Sequence, residues 1–155
     1  MVTLVALLQA PVQGLLRPAM WLPCFHRLHS HTETWRVDVE PAGFVKALQE
    51  TVCALNDRGD FRETFDIHRV SADGGFVRLF AFTRAEWLDV VEVTRTNNGT
   101  YTVTSFSSGL FPLIIPFACI LNLAMFWVPF LDNGCNKRRL QEVRSSLAIP
   151  VTVVD

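Results

Sequence analysis

The densest run of chemically capable side chains is Asp132-Asn133-Gly134-Cys135-Asn136-Lys137-Arg138-Arg139. Asp132, Asn136 and Arg139 form its polar cluster. As chemistry, such a cluster suits a small enzyme with a polar pocket at the turn. As structure, it is a buried turn whose Asp and Asn satisfy backbone amides, and that reading carries more weight. Asn136 has the right residue type for a helix N-cap, which puts Lys137, Arg138 and Arg139 in the first helical turn. The helix dipole disfavours each exposed cation there by about 0.3–1 kcal/mol. Anionic lipid headgroups would offset this by roughly 1 kcal/mol per basic residue. Pairing with an acid-rich sheet is the alternative.

Two other constellations are weaker. Cys24, His26, His29 and His31 place four metal-ligand types within eight residues. They lie on one linker rather than on two separated pairs that clamp a fold, so no metal site is expected. Ser105 or Ser107 with His68 and Asp66 has the composition of a hydrolytic triad but no G-x-S-x-G elbow. Gly74-Gly75 reads as a hairpin turn rather than a phosphate cradle, and no cofactor is expected.

Beside the basic cluster lies LFPLIIPFACILNLAMFWVPFL, residues 110–131, 22 positions without a charge. A continuous helix of that length would reach about 33 Å and cross a hydrocarbon core of about 30 Å. Pro112, Pro116 and Pro129 forbid continuity, leaving 117–128 uninterrupted. Three arrangements remain: a spanning helix, a hairpin that dips into one leaflet, and a hairpin packed on protein. The dipping hairpin ranks first, with Phe111, Phe117, Phe126, Trp127 and Phe130 as membrane contacts.

The rest of the chain is ordinary. It has 155 residues, 14 basic and 15 acidic, a net charge of −1 and 50% hydrophobic residues. Disorder is excluded, and uniform nucleic-acid binding has no electrostatic support. Residues 1–32 carry Arg17 and Arg27 and no acid, whereas 33–108 carry twelve acids against eight bases. Pro11, Pro18 and Pro23 break the apolar N-terminal segment, which reads as targeting or membrane-surface chain. Cys24, Cys53, Cys119 and Cys135 form no C-x-x-C pair; Cys53 and Cys119 read as small buried hydrophobes, favouring a reducing, intracellular compartment.

Alternation of Trp35, Val37 and Val39 with polar residues predicts a short strand. Pro41 opens a helix whose apolar face is Phe44, Val45, Leu48, Val52 and Leu55. Strand-like runs follow at 61–70, 76–83, 87–95 and 100–106, the last two joined by an Asn98-Gly99 turn. A closing helix spans 136–147, with Leu140, Val143 and Leu147 on one stripe. The expected fold is α+β: a curved antiparallel sheet of about five strands, two helices on one face, and an apolar helical hairpin insertion. Residues 33–148 make the domain, 110–131 the insertion and 149–155 a tail.

The pattern Ser105-Phe106-Ser107-Ser108-Gly109, resumed at Asp132-Asn133-Gly134-Cys135-Asn136 and ending in Arg139-Leu140, resembles the signature S-x-S-R-x-G-x-S-D-x-G-x-N-x-x-R-I. That signature belongs to domain-of-unknown-function family 1499. The strand around Asp89 is similar to the one preceding it. Ser108 stands where the family has Arg, so no role of that Arg transfers, and the apolar run interrupts the motif. The resemblance implies no activity. It does imply that the insertion leaves and returns on one side, if the motif halves meet.

These features lead to a membrane-associated, non-enzymatic binding module, with a groove between sheet and helix for a lipid or other apolar ligand. Lys137, Arg138, Arg139, Asp132 and Asn136 would serve the ligand or headgroups, and membrane lipids would be the partners. The alternatives are a structural subunit of a membrane complex, with 110–131 against partner helices, and a small enzyme of unknown reaction.

Overall fold

The computed structural model describes residues 2–16, 29–58, 62–97, 99–128, 130 and 132–154. Expectations resting on 17–28, including Arg17, Cys24, His26 and Arg27, lie outside the described residues, as does Asn98 of the expected turn.

The chain begins with helix α1 (Leu4–Gln13), followed by β1 (Ser30–Val37) and α2 (Pro41–Asp57). Strands β2 (Glu63–Val70), β3 (Phe76–Thr83), β4 (Leu88–Asn97) and β5 (Thr100–Ser107) come next. Helices α3 (Ala118–Ala124) and α4 (Cys135–Ser146) and strand β6 (Val151–Val154) complete the elements of the described residues. Together they form the expected α+β fold. The sheet has six strands in the order β2-β3-β4-β5-β1-β6, and every pairing is antiparallel. The extra strand is β6, which follows Pro150 and lies along β1. Four residues read as a tail are therefore an edge strand.

Strand alternation sends two different sets of side chains to the two faces. One set is Trp35, Val37, Phe65, Val77, Leu79, Val91, Val93, Tyr101 and Val103. It meets Phe44, Leu48, Val52 and Leu55 of α2 and Leu140 and Val143 of α4 in the main core. Pro41 sits at the start of α2, where its missing N–H leaves no helical bond unmade. The groove expected between sheet and helices is filled by these side chains. Cys53 is exposed on α2 rather than buried.

The opposite face carries Phe80, Phe82, Leu88, Val90 and Phe106, and these are covered by Ala6 and Ala10 of α1 with Leu113 and Ala118 of the insertion. Prolines stop the insertion from forming one helix: α3 has seven residues, and its N-cap Phe117 is left-handed at φ 62°. Among the described residues no helix is long and apolar enough to cross a membrane.

Candidate functional site

Two features compete as the functional part of the molecule: the polar network at the start of α4 and the outer layer made by α1 and the insertion.

The network is built around Arg139, which is 1% exposed. Its five N–H donors meet five bonds. Nε and Nη2 donate to Glu63 Oε2 and Oε1 at 2.6 and 2.8 Å. Nη2 donates to Asp89 Oδ2 at 2.5 Å, and Nη1 to Ser105 Oγ and Asn136 Oδ1 at 3.0 and 2.9 Å. Ser105 Oγ in turn donates to Asn136 Oδ1 at 2.7 Å. The Asn136 amide divides its hydrogens among Asp132 Oδ2, the His29 carbonyl and Ser107 Oγ at 2.8, 3.0 and 3.2 Å. Asp132 accepts the backbone N–H of Gly134 at 2.9 Å and of Asn136 at 3.1 Å.

The helix cap therefore differs from expectation. Gly134 occupies the N-cap at φ 74°, where a side chain would be strained, and Asp132 supplies the oxygen that satisfies the first amides. Asn136 turns inward. Arg139 and Asn136 are buried and have no surface to offer a headgroup, which corrects that part of the expected site. Lys137 and Arg138 are exposed on the same turn. One of the three cations thus pairs with acidic strands, and two stay at the surface.

Burial acts against the charge of the Arg139 guanidinium, but Asp89 and Glu63 outweigh it and hold the group protonated. Burial pushes the Asp89 carboxyl above its ordinary range, with Arg139 and Ser107 opposing. Burial lowers the His29 imidazole, with Asp132 opposing. The His29 ring stacks on Phe130 with centroids 4.0 Å apart.

Glu63 and Asp89 are the members of the network that local sequence reading missed as Arg139 partners. They stand 76 and 50 residues from it in the chain. The available signal was phase: Asp89 alternates in step with Val91 and Val93, and Glu63 with Phe65, so both acids point into a core. The two halves of the Ser105–Gly109 and Asp132–Leu140 pattern meet across 22 uncharged residues, because the insertion leaves and returns at one end of the sheet.

Against this network lies a cavity of about 340 Å³ whose wall includes Trp87, Asp89, Ser107, Leu110, Phe130 and Asp132. The imagined triad does not assemble. His68 stacks on Phe80 on one face of the sheet at 4.2 Å, while Ser105 bonds Arg139 on the other. His29 and His31 do not converge on a metal, and among the described residues no set of three His, Cys, Asp or Glu does.

The outer layer inverts the usual order of side chains. In α1 the buried residues are Ala6, Ala10 and Gln13, whereas Leu4 and Leu8 are each 71% exposed. In α3 the buried residues are Ala118 and Asn122, and Ile120, Leu121 and Leu123 face outward. Of the expected membrane contacts, Phe117 is 71% and Trp127 58% exposed. Phe111, Phe126 and Phe130 are half-buried. The inward polar side chains satisfy the irregular backbone. Gln9 Nε2 donates to the carbonyls of Leu113 and Ile115 at 3.0 and 2.9 Å, and its Oε1 accepts from Cys119 N at 3.2 Å. Asn122 bonds both the N–H and the carbonyl of Phe111, at 2.7 and 3.0 Å, and donates to Gln13 Oε1 at 3.1 Å. Gln13 Nε2 reaches the Ser108 carbonyl at 2.6 Å. Glu86 accepts from Thr3 N and Oγ1 at 2.9 and 2.6 Å, seating the start of α1. A Cβ on Gly109 would come within 2.4 Å of Asn122 and Gln13, so only glycine lets these amides close over the strand end.

No protein-family model, curated protein or solved structure matches the chain.

Proposed function

We propose that this chain is a membrane-associated, non-enzymatic domain that seats α1 and the 110–128 insertion in one leaflet of a bilayer. The observation that carries the reading is the inversion: leucines, isoleucines and Phe117 outward, glutamine and asparagine inward. Water penalises that order, since each exposed leucine side chain forfeits about 1.5–3 kcal/mol of available burial. A bilayer rewards it, because lipid tails accept the apolar surface and every backbone polar group must be met from within the protein. Gln9, Gln13 and Asn122 meet the backbone of a loop that is otherwise poor in regular hydrogen bonds. No Asp, Glu, Lys or Arg occurs in 1–16 or 109–131, so nothing charged would be dragged into the lipid.

Lys137 and Arg138 stand at the end of the sheet from which the insertion leaves, and in this reading they add contacts to anionic headgroups. The resemblance to domain-of-unknown-function family 1499 fits a β-sheet carrier into which an anchor has been inserted.

Vesicle flotation tests the proposal. The intact chain is expected to float with vesicles of phosphatidylcholine and phosphatidylglycerol, and the double variant Leu8→Glu/Phe117→Glu to stay in the aqueous fraction with an unchanged circular dichroism spectrum. Both positions face outward, so the fold does not depend on them. Flotation of the double variant, or failure of the intact chain to float, overturns the proposal.

A further inference from the structure

The cavity beside Arg139 has a chemistry of its own. At about 340 Å³ it lies at the lower end of small-molecule sites, which run from about 300 to 1,000 Å³. Its lining combines the acidic residues Asp89 and Asp132 and Ser107 with the apolar residues Trp87, Leu110 and Phe130. Among the described residues no lysine or arginine lines it. The adjoining hydrogen-bonded network holds three carboxylates, Glu63, Asp89 and Asp132, against the single guanidinium of Arg139. An anionic ligand would meet two like charges there, and a neutral apolar one would leave the acidic residues desolvated without a partner. A metal ion finds too few ligands among the described residues. Acidic and aromatic residues lining one small volume suit an organic cation, whose charge is met by the acids and whose carbon-bound surface lies on the rings.

We infer that this cavity binds an alkylammonium group, primary or quaternary, carried on an apolar body. The inference does not depend on membrane docking, because the ammonium can arrive on a free amine or on a lipid headgroup such as choline or ethanolamine.

Calorimetric titration of the full chain with hexylammonium, hexanol and hexyl sulfate compares three head groups on one tail. The ammonium is expected to bind at least about ten-fold more tightly than the alcohol, and the sulfate more weakly than either. Asp132→Asn keeps one oxygen for one of the two turn amides and, with an unchanged circular dichroism spectrum, should erase most of the preference for ammonium. Trp87→Ala, at a position partly open to solvent, should weaken the ammonium about five-fold while leaving the circular dichroism spectrum intact. Equal affinity for ammonium and sulfate overturns the inference, as does a preference that survives both substitutions. Vesicles separate the sources. Asp132→Asn lowering binding to phosphatidylcholine but not to phosphatidylglycerol points to a lipid headgroup; selectivity for hexylammonium with no such vesicle effect points to a free amine. If Leu8→Glu/Phe117→Glu still floats, docking is overturned and the hexylammonium result is untouched.

Discussion

On one face of the sheet, α2 buries Phe44, Leu48, Val52 and Leu55 and turns Lys46 and Glu50 to solvent. On the other, α1 buries Ala6, Ala10 and Gln13 and turns Leu4, Leu8 and Val12 outward. Both helices cover apolar strands, yet the second keeps only small residues and amides against them. Hydrophobic content alone therefore does not reveal what a segment is for. In α2 the apolar residues supply the core, so their loss should appear as instability. In α1 and the insertion they supply a surface, so their loss should appear only where something covers that surface.

The largest effect is expected at the junction of the two regions. Arg139→Ala leaves Glu63 and Asp89 buried without their cation and should cost about 3–5 kcal/mol in urea unfolding at neutral pH. A cost below about 1 kcal/mol would mean that the network is not what joins α4 to β2, β4 and β5.

Matched truncations in the two helices measure how differently they hold their leucines. Leu48→Ala removes a core side chain that is 1% exposed and should cost about 2–5 kcal/mol. Leu8→Ala, in buffer, should stay within about 0.5 kcal/mol of the parent. If the two cost the same in the absence of membranes, α1 is an ordinary core helix and the contrast fails.

A smaller, pH-dependent effect belongs to His29. Its imidazole is held below the ordinary value of 6.5, so the unfolded chain takes up a proton that the folded chain resists. Stability is then present above 6.5 and lost as pH falls through and below it, with a slope of at most about 1.4 kcal/mol per pH unit. Asp89, raised by burial, works in the opposite direction and contributes stability that is lost as pH rises through its folded value. The difference between the parent and His29→Phe isolates the histidine, since Phe keeps the stack on Phe130. Parallel stability curves from pH 7 to about 5.5 would contradict the assignment.

Local periodicity made much of the fold legible. Helix α2 and strands β3 and β5 follow from three- to four-residue and two-residue spacing, and their observed ends lie within a residue or so of those expected. Strand β6 was not legible, because Val151–Val154 is a four-residue edge after a proline and acquires its meaning only from pairing with β1. The polar cluster was legible in composition but not in direction. Arg139 and Asn136 share the stripe of Leu140 and Val143, and that phase turns them inward, away from Lys137 and Arg138. The outer layer was the hardest to read. Its sequence shows leucines and phenylalanines without saying which side they take, and the side is decided by small residues and amides that fit against Phe80 and Phe106.

Hydrogen exchange of the intact chain, with and without vesicles of phosphatidylcholine and phosphatidylglycerol, shows directly which surface the lipid covers. Seating in a leaflet predicts that added protection falls on 2–16 and 110–128, while α2 and α4 exchange at unchanged rates. Protection appearing over α2 and α4 instead, or no added protection anywhere, would contradict it.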